Sequence, residues 1–258
     1  MTTLTEPYYS EAHQVFREAT NQAELMLDRT VGHIVGRGTV TILSVGSGAG
    51  LFEIPMLARL RDAGVTVSSF VGVDPSPRAC SVLRRKLDET PLADHHDVVT
   101  MGFEAYTTTT RYDVVLFNHV FEYLLYDPSF LLRKSASLRN RAGHVVIFSP
   151  TRGGINAVYE KLVTSARGSP PLFADDIEDA LTRAGLGFSV ETMIATCDIS
   201  SLKRPGHAPD KLKLLSFLAQ EDCRAIADDR RDEYINYYLS LREPEGTTIA
   251  HPVALLIV

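Results

Sequence analysis

Hydrophobic and polar positions change period along the chain, and the changes mark elements. Between Ala12 and Val35 apolar residues recur at helical spacing: Val15, Phe16, Ala19, Ala23, Met26, Leu27, Val31 and Ile34. This predicts one long helix or two short ones. Four nearly all-apolar runs follow: Val40–Val45, Ser68–Asp74, Tyr112–Asn118 and His144–Pro150, with a shorter run at Asp97–Met101. Helical patterns fill the intervals at Leu51–Ala63, Pro77–Leu87 and Ser129–Leu138. Strands apolar on both faces are expected where helices cover both sides of a sheet. Repeated β-α alternation predicts an α/β fold, a doubly wound, mostly parallel sheet of seven strands.

After Pro150 the pattern shifts. "TRGGINAVYEKLVTSA" reads as a loop entering a helix. "FADDIEDALTRAGL" reads as another, capped by Asp175 or Asp176 and stopped at Gly185. "GFSVETMIAT" is a strand, and helical runs extend from about Lys211 to Leu241 before a terminal strand, "HPVALLIV". The expected organisation is N-terminal cap helices over 1–36 and a core over 37–198, with a cap region at about 151–170. A helical cap insertion over 199–245 and a terminal strand over 246–258 complete it.

Composition narrows the chemistry. The 258 residues are 45% hydrophobic and carry a formal net charge of −6. No dense Lys/Arg stripe is present, so nucleic acid is not an expected partner. The basic stretch Arg84–Leu87 reads as a solvated helix face. Cys80, Cys197 and Cys223 lie far apart and show no metal-ligand spacing, so no metal is expected. His95 and His96 read as surface residues of a polar loop. A sparse odd cysteine count, a polar start without a signal core and the lack of an apolar span predict a cytoplasmic protein without a membrane partner. A monomer or weak homodimer is expected.

The chemistry concentrates at strand ends. "VGSGAG" closes the first strand and places Gly46, Ser47, Gly48 and Gly50 before a helix. A dinucleotide fingerprint would need its third glycine at Leu51, and a phosphate-binding loop would need Lys-Ser/Thr; neither is present. The shorter spacing resembles the first motif of class I S-adenosylmethionine (SAM) methyltransferases. There the backbone must approach the amino-acid moiety and ribose of the cofactor closely. Asp74, followed by Pro75, sits at the tip of the second strand, where a carboxylate accepts hydrogen bonds from ribose hydroxyls. The resemblance puts adenine near Phe103 and Glu104. "FNHVFEYL", starting at Phe117, ends the fourth strand, where cofactor and substrate should meet.

"ILSVGSGAG", "FNHVFEYL", "TCDIS" and the helical insertion together resemble the histamine N-methyltransferase family, which are small-molecule enzymes with a substrate-covering second lobe. The resemblance implicates Gly46, Asp74 and Asn118 in cofactor binding, while the family's glutamine in the second helix of the core falls on Ala79. Gln22 falls where that family has an acid, His251 where it has an asparagine, and Ile155 and Tyr159 near its pocket tryptophans. An acid is what a cationic amine needs for charge pairing, and Gln22 cannot supply it. A neutral or aromatic acceptor is therefore expected over histamine.

Single residues keep two readings. His119 is a general base or a helix-start histidine that shapes the pocket. His251 contacts substrate or begins a strand before Pro252. Among Glu122, Tyr123 and Tyr126, Tyr123 is expected to face the pocket, with Glu122 a solvated helix residue. Tyr8 and Tyr9 are a lid or an exposed start. The expected activity is methyl transfer from SAM to a nitrogen or carbon of a small-molecule acceptor, aromatic or heteroaromatic. His119 is the base candidate, and Gln22, Tyr123, Tyr159 and His251 are the substrate-binding candidates. The alternative is a non-catalytic SAM-binding partner or regulatory subunit.

Overall fold

The computed structural model describes residue 5 and residues 7–124, 127–243 and 246–258. Tyr126, and residues 1–4, 6, 244 and 245 at the ends of the expected cap segments, lie outside the described residues. The helical pattern before the first strand resolves into two helices, α1 (Tyr8–Ala19) and α2 (Gln22–Ile34). The chain continues as β1 (Thr39–Val45), α3 (Glu53–Asp62), β2 (Thr66–Asp74), α4 (Pro77–Asp88), β3 (His96–Thr100) and β4 (Tyr112–Asn118). Next come α5 (Ser129–Leu138), β5 (Arg139–Pro150), α6 (Asn156–Arg167), α7 (Ala174–Arg183) and β6 (Ser189–Asp198). Helices α8 (Pro209–Ala219) and α9 (Asp228–Ser240) precede the last strand, β7 (Thr248–Ile257).

Seven strands form one sheet in the order β3-β2-β1-β4-β5-β7-β6. β1 runs parallel to β2 and β4, β2 to β3, and β4 to β5. Val145 and Val258 exchange both backbone hydrogen bonds at 3.0 Å, the antiparallel signature that seats β7 against β5. Chain order reverses between β1 and β4, and in open α/β sheets such a switch point opens a crevice at the carboxyl ends of the strands.

β5 begins five residues before its apolar run. "RNRAG" has no apolar alternation, yet Arg139 pairs with Tyr112 and Asn140 donates to the Asp113 carboxylate at 2.7 Å. Helix α7 is closed at its start by Asp176, whose carboxylate accepts from the Phe173 amide at 2.8 Å. The amides of Gly185 and Leu186 close its end on Thr182 and Leu181 carbonyls.

The chain divides into two compact units. One comprises Met26–Ser149, Leu172–Glu191 and Ala254–Val258. Its core includes Leu43, Val45, Val115, Phe117, Phe121, Ile147, Ile177 and Leu256, all nearly inaccessible to solvent. Met26, Leu27 and Ile34 are buried, so most of α2 belongs with this unit. The other comprises the chain up to Leu25, Pro150–Pro171 and Thr192–Val253. Phe16, Ile155, Val158, Leu202, Leu215, Ile235, Tyr238 and Ile249 form its core. Among the described residues, no helix is long and apolar enough to cross a membrane.

Candidate functional site

Four loops at the carboxyl ends of β1, β2, β3 and β4 carry the candidate residues of the sheet unit. The loop after β1 turns back at once: the amides of Gly46 and Ser47 donate to the Val73 carbonyl at 2.7 and 3.3 Å. Gly46 and Gly48 both take positive φ, +66° and +53°, but for different purposes. A Cβ on Gly46 would lie 2.6 Å from Val120 Cγ2, so the turn itself demands glycine there. A Cβ on Gly48 would meet nothing within 4 Å, so it borders open space.

Asp74, buried at the end of β2, ties two of these loops together. Its carboxylate accepts from the Gly48 amide at 2.9 Å and the Ser76 amide at 2.8 Å. Each carboxylate oxygen keeps a further lone pair for another donor. Pro75, next in the chain, is exposed. Two contacts beneath the loop were not visible in the sequence. Lys86 Nζ donates to the Ala49 carbonyl at 2.9 Å, so part of the basic stretch on α4 is structural rather than only solvated. Ser44 Oγ donates at 2.9 Å to Glu53, a carboxylate buried in the first turn of α3. The only available signal was an acid at a helix start.

After β3, the Phe103 ring packs edge-on to Phe117 at 5.5 Å and is buried in the core, while Glu104 is exposed. Lys134 Nζ holds this segment through the carbonyls of Phe103 and Glu104, at 2.7 and 3.0 Å. A pocket contact from this segment therefore comes from its backbone or from Glu104 rather than from the Phe103 face.

The loop after β4 is the most unusual. Asn118 pairs with Phe148 of β5, and the next residue, His119, takes φ +54°. A non-glycine residue in the left-handed region costs about 1–2 kcal/mol, and such strain clusters at functional sites. His119 Nδ1 lies 2.9 Å from Glu122 Oε1. Glu122 is buried, not solvated: it sits in the short 3-10 turn Phe121–Tyr123 with 5% of its surface exposed. Among the described residues, Ser47 Oγ, Asn118 Oδ1 and His119 Nε2 are buried and have no hydrogen-bond partner. Buried polar atoms are rarely left so, and three at the ends of β1 and β4 mark where a polar ligand belongs. Tyr123 is 51% exposed.

The other unit holds the remaining candidates. Gln22 and His251 are both buried and join through Gln22 Nε2 and His251 Nε2 at 3.1 Å. Thr20 Oγ1 lies 3.3 Å from His251 Nδ1 and accepts from the Gln22 amide. An aromatic row leads to this pair: His13 stacks on Phe217 at 5.0 Å, Phe217 on Phe16 at 4.5 Å, and Phe16 meets the His251 ring edge-on at 5.4 Å. Tyr159 is half-buried on α6. Tyr8 is buried against Ser216 with the Arg224 guanidinium 3.5 Å above its ring, and half-buried Tyr9 packs on Phe217. Burial pushes the Cys197 and Cys223 thiols up to about 12, which leaves them inert as nucleophiles. Among the described residues no group of three metal-ligating side chains converges.

Comparison with known proteins gives the family and the fold. The model of the methyltransferase-domain family matches residues 12–188, so the chain belongs to that family. It is a SAM-dependent methyltransferase with the class I, Rossmann-like fold. Solved structures share the fold at low identity. The YcgJ protein of Bacillus subtilis is 11% identical, with TM-score 0.61 over 91% of this chain and 97% of its own. A SAM-dependent methyltransferase of Thiobacillus denitrificans, solved with S-adenosylhomocysteine, is 14% identical, with TM-score 0.56 over 90% of each chain. Geranyl diphosphate C-methyltransferase of Streptomyces coelicolor, solved with Mg2+, geranyl diphosphate and S-adenosylhomocysteine, is 15% identical, with TM-score 0.54 over 92% of this chain and 77% of its own. No curated protein matches the sequence.

Proposed function

We propose that the protein transfers the SAM methyl group to a nitrogen or carbon of a small aromatic or heteroaromatic acceptor. The observation that carries this reading is the aromatic row ending at the buried Gln22–His251 pair, a mostly apolar wall with a few placed polar groups. The resemblance to histamine N-methyltransferase supports the same substrate class. The amide of Gln22, where that family carries an acid, favours a neutral acceptor over histamine. Neighbours of the same fold include an enzyme solved with a small-molecule substrate.

In this reading Gly46, Ser47, Gly48, Asp74, Pro75, Phe103, Glu104 and Asn118 hold the cofactor. The fit is chemical. Asp74 takes the ribose hydroxyls, Asn118 Oδ1 and Ser47 Oγ offer polar atoms without partners among the described residues, and the open space over Gly48 admits the close approach. The sulfonium supplies an already activated methyl group, so the protein's work is alignment and proton removal. His119 is the proton acceptor. Gln22, Tyr123, Tyr159 and His251 are the acceptor-binding candidates that the family resemblance and strand-end position suggest. No metal takes part, and the protein works as a monomer or weak homodimer.

The test is conversion of SAM to S-adenosylhomocysteine with a panel of phenols, ring N–H heterocycles and small amines. Turnover with neutral aromatic acceptors and little with histamine is expected. The Gln22→Glu variant should then gain affinity for small cationic amines by about tenfold or more, the scale of one charge-assisted hydrogen bond. Efficient histamine methylation by the wild type would overturn the specificity argument.

A further inference from the structure

Glu122 is buried in the short 3-10 turn Phe121–Tyr123, three residues after His119, and its Oε1 lies 2.9 Å from His119 Nδ1. The left-handed backbone at His119 turns the chain out of β4 and into that helical turn, so the strain and the pairing belong to one device. The other ring nitrogen, Nε2, is buried with no partner among the described residues. The Glu122 carboxylate is the acceptor within reach of the ring, at Nδ1, and it draws the proton to that nitrogen. With the proton on Nδ1, the 2.9 Å contact becomes a donation to the Glu122 carboxylate.

We propose that Glu122 is a positioning residue that fixes His119 in the Nδ1–H tautomer and aims a bare Nε2 at the acceptor. This rests on the reading of His119 as the proton acceptor. The step balances. The acceptor's electron pair forms the bond to the methyl carbon, the carbon–sulfur bond breaks with its pair left on sulfur, and the acceptor's proton passes to His119 Nε2. The imidazolium so formed keeps its Nδ1–H on the Glu122 carboxylate and later returns the Nε2 proton to water. The arrangement serves an acceptor that loses a proton on methylation.

The tautomer can be read without any acceptor. Nitrogen-15 spectra of uniformly labelled protein report which ring nitrogen of each neutral histidine carries the proton. His119→Asn assigns the His119 signals by their loss, because asparagine tolerates a left-handed backbone. The wild type is expected to show Nδ1 protonated and Nε2 bare, and Glu122→Leu to lose the Nδ1–H preference. A wild type protonated at Nε2 overturns the proposal whether or not the leucine variant folds, as does an unchanged tautomer in a folded Glu122→Leu protein. SAM titration of the same samples by calorimetry separates the two readings. Absence of SAM binding removes the methyltransferase site and leaves the tautomer result to stand or fall alone.

Discussion

At the scale of single residues, the glycines after β1 divide their labour. Gly46 is constrained by the protein, because any side chain would run into Val120, whereas Gly48 faces open space. The two positions should therefore fail differently. Gly48→Val should fold, with a strain cost of about 1–2 kcal/mol, and lose SAM binding. Gly46→Val should lose stability outright. Thermal melts paired with SAM calorimetry distinguish the two, and equal behaviour would show that the loop is only a turn. Asp74 carries two loops on its carboxylate and is the proposed ribose acceptor. Asp74→Ala should weaken SAM binding by about 1.5–3 kcal/mol, the range for hydrogen bonds to a charged group. Unchanged affinity in a folded variant would remove Asp74 from the site. The places of these residues at the ends of β1 and β2 were legible in the sequence, because an apolar run stopping at glycines or at an acid marks a strand end. Glu122 was not, since its burial depends on the left-handed turn at His119, which no periodicity reports.

At the scale of elements, Asp113 binds three strands. Its carboxylate accepts from the Thr41 amide at 2.8 Å, the Thr41 hydroxyl at 2.9 Å and Asn140 at 2.7 Å, so β1, β4 and β5 start in register. Burial alone would raise this carboxyl, but the hydrogen bonds from Asn140 and Thr41 outweigh it and hold it below the ordinary carboxylate value. A group lowered in the folded state contributes stability above its unfolded value, and that contribution is lost as pH falls through the folded one. Asp113→Asn should therefore cost about 1.5–3 kcal/mol near neutrality. Denaturant titrations should show the gap between the two proteins closing on acidification, and a gap independent of pH would contradict this reading. The central strands and helices were visible as apolar runs and helical periods. The start of β5 was not, because "RNRAG" is held by pairing with β4 and by Asn140 rather than by an apolar pattern.

At the scale of the molecule, two units with separate cores carry different chemistry. The sheet unit presents polar atoms without partners among the described residues at the switch point, and the other unit presents an aromatic row and a buried amide–imidazole pair. The alternation of strands and helices made the first unit legible. The second is assembled from three stretches distant in sequence, and contacts such as Gln22 with His251 join residues more than two hundred positions apart. No local pattern encodes such a pairing; its members could be named individually, but their hydrogen bond could not. SAM binding to the folded sheet unit also carries a thermodynamic signature. At a hundredfold excess over the dissociation constant it should stabilise the protein by about 2.7 kcal/mol. An unchanged melting temperature at that excess would contradict the proposed cofactor site.

The most direct test of the central claim is acceptor-dependent formation of S-adenosylhomocysteine, measured for wild type and Asp74→Ala side by side. Turnover with at least one neutral aromatic acceptor is predicted, with loss of about ten- to a hundredfold in the variant at subsaturating SAM, following its weaker cofactor binding. No turnover across the panel, or equal turnover in both proteins, would contradict the account.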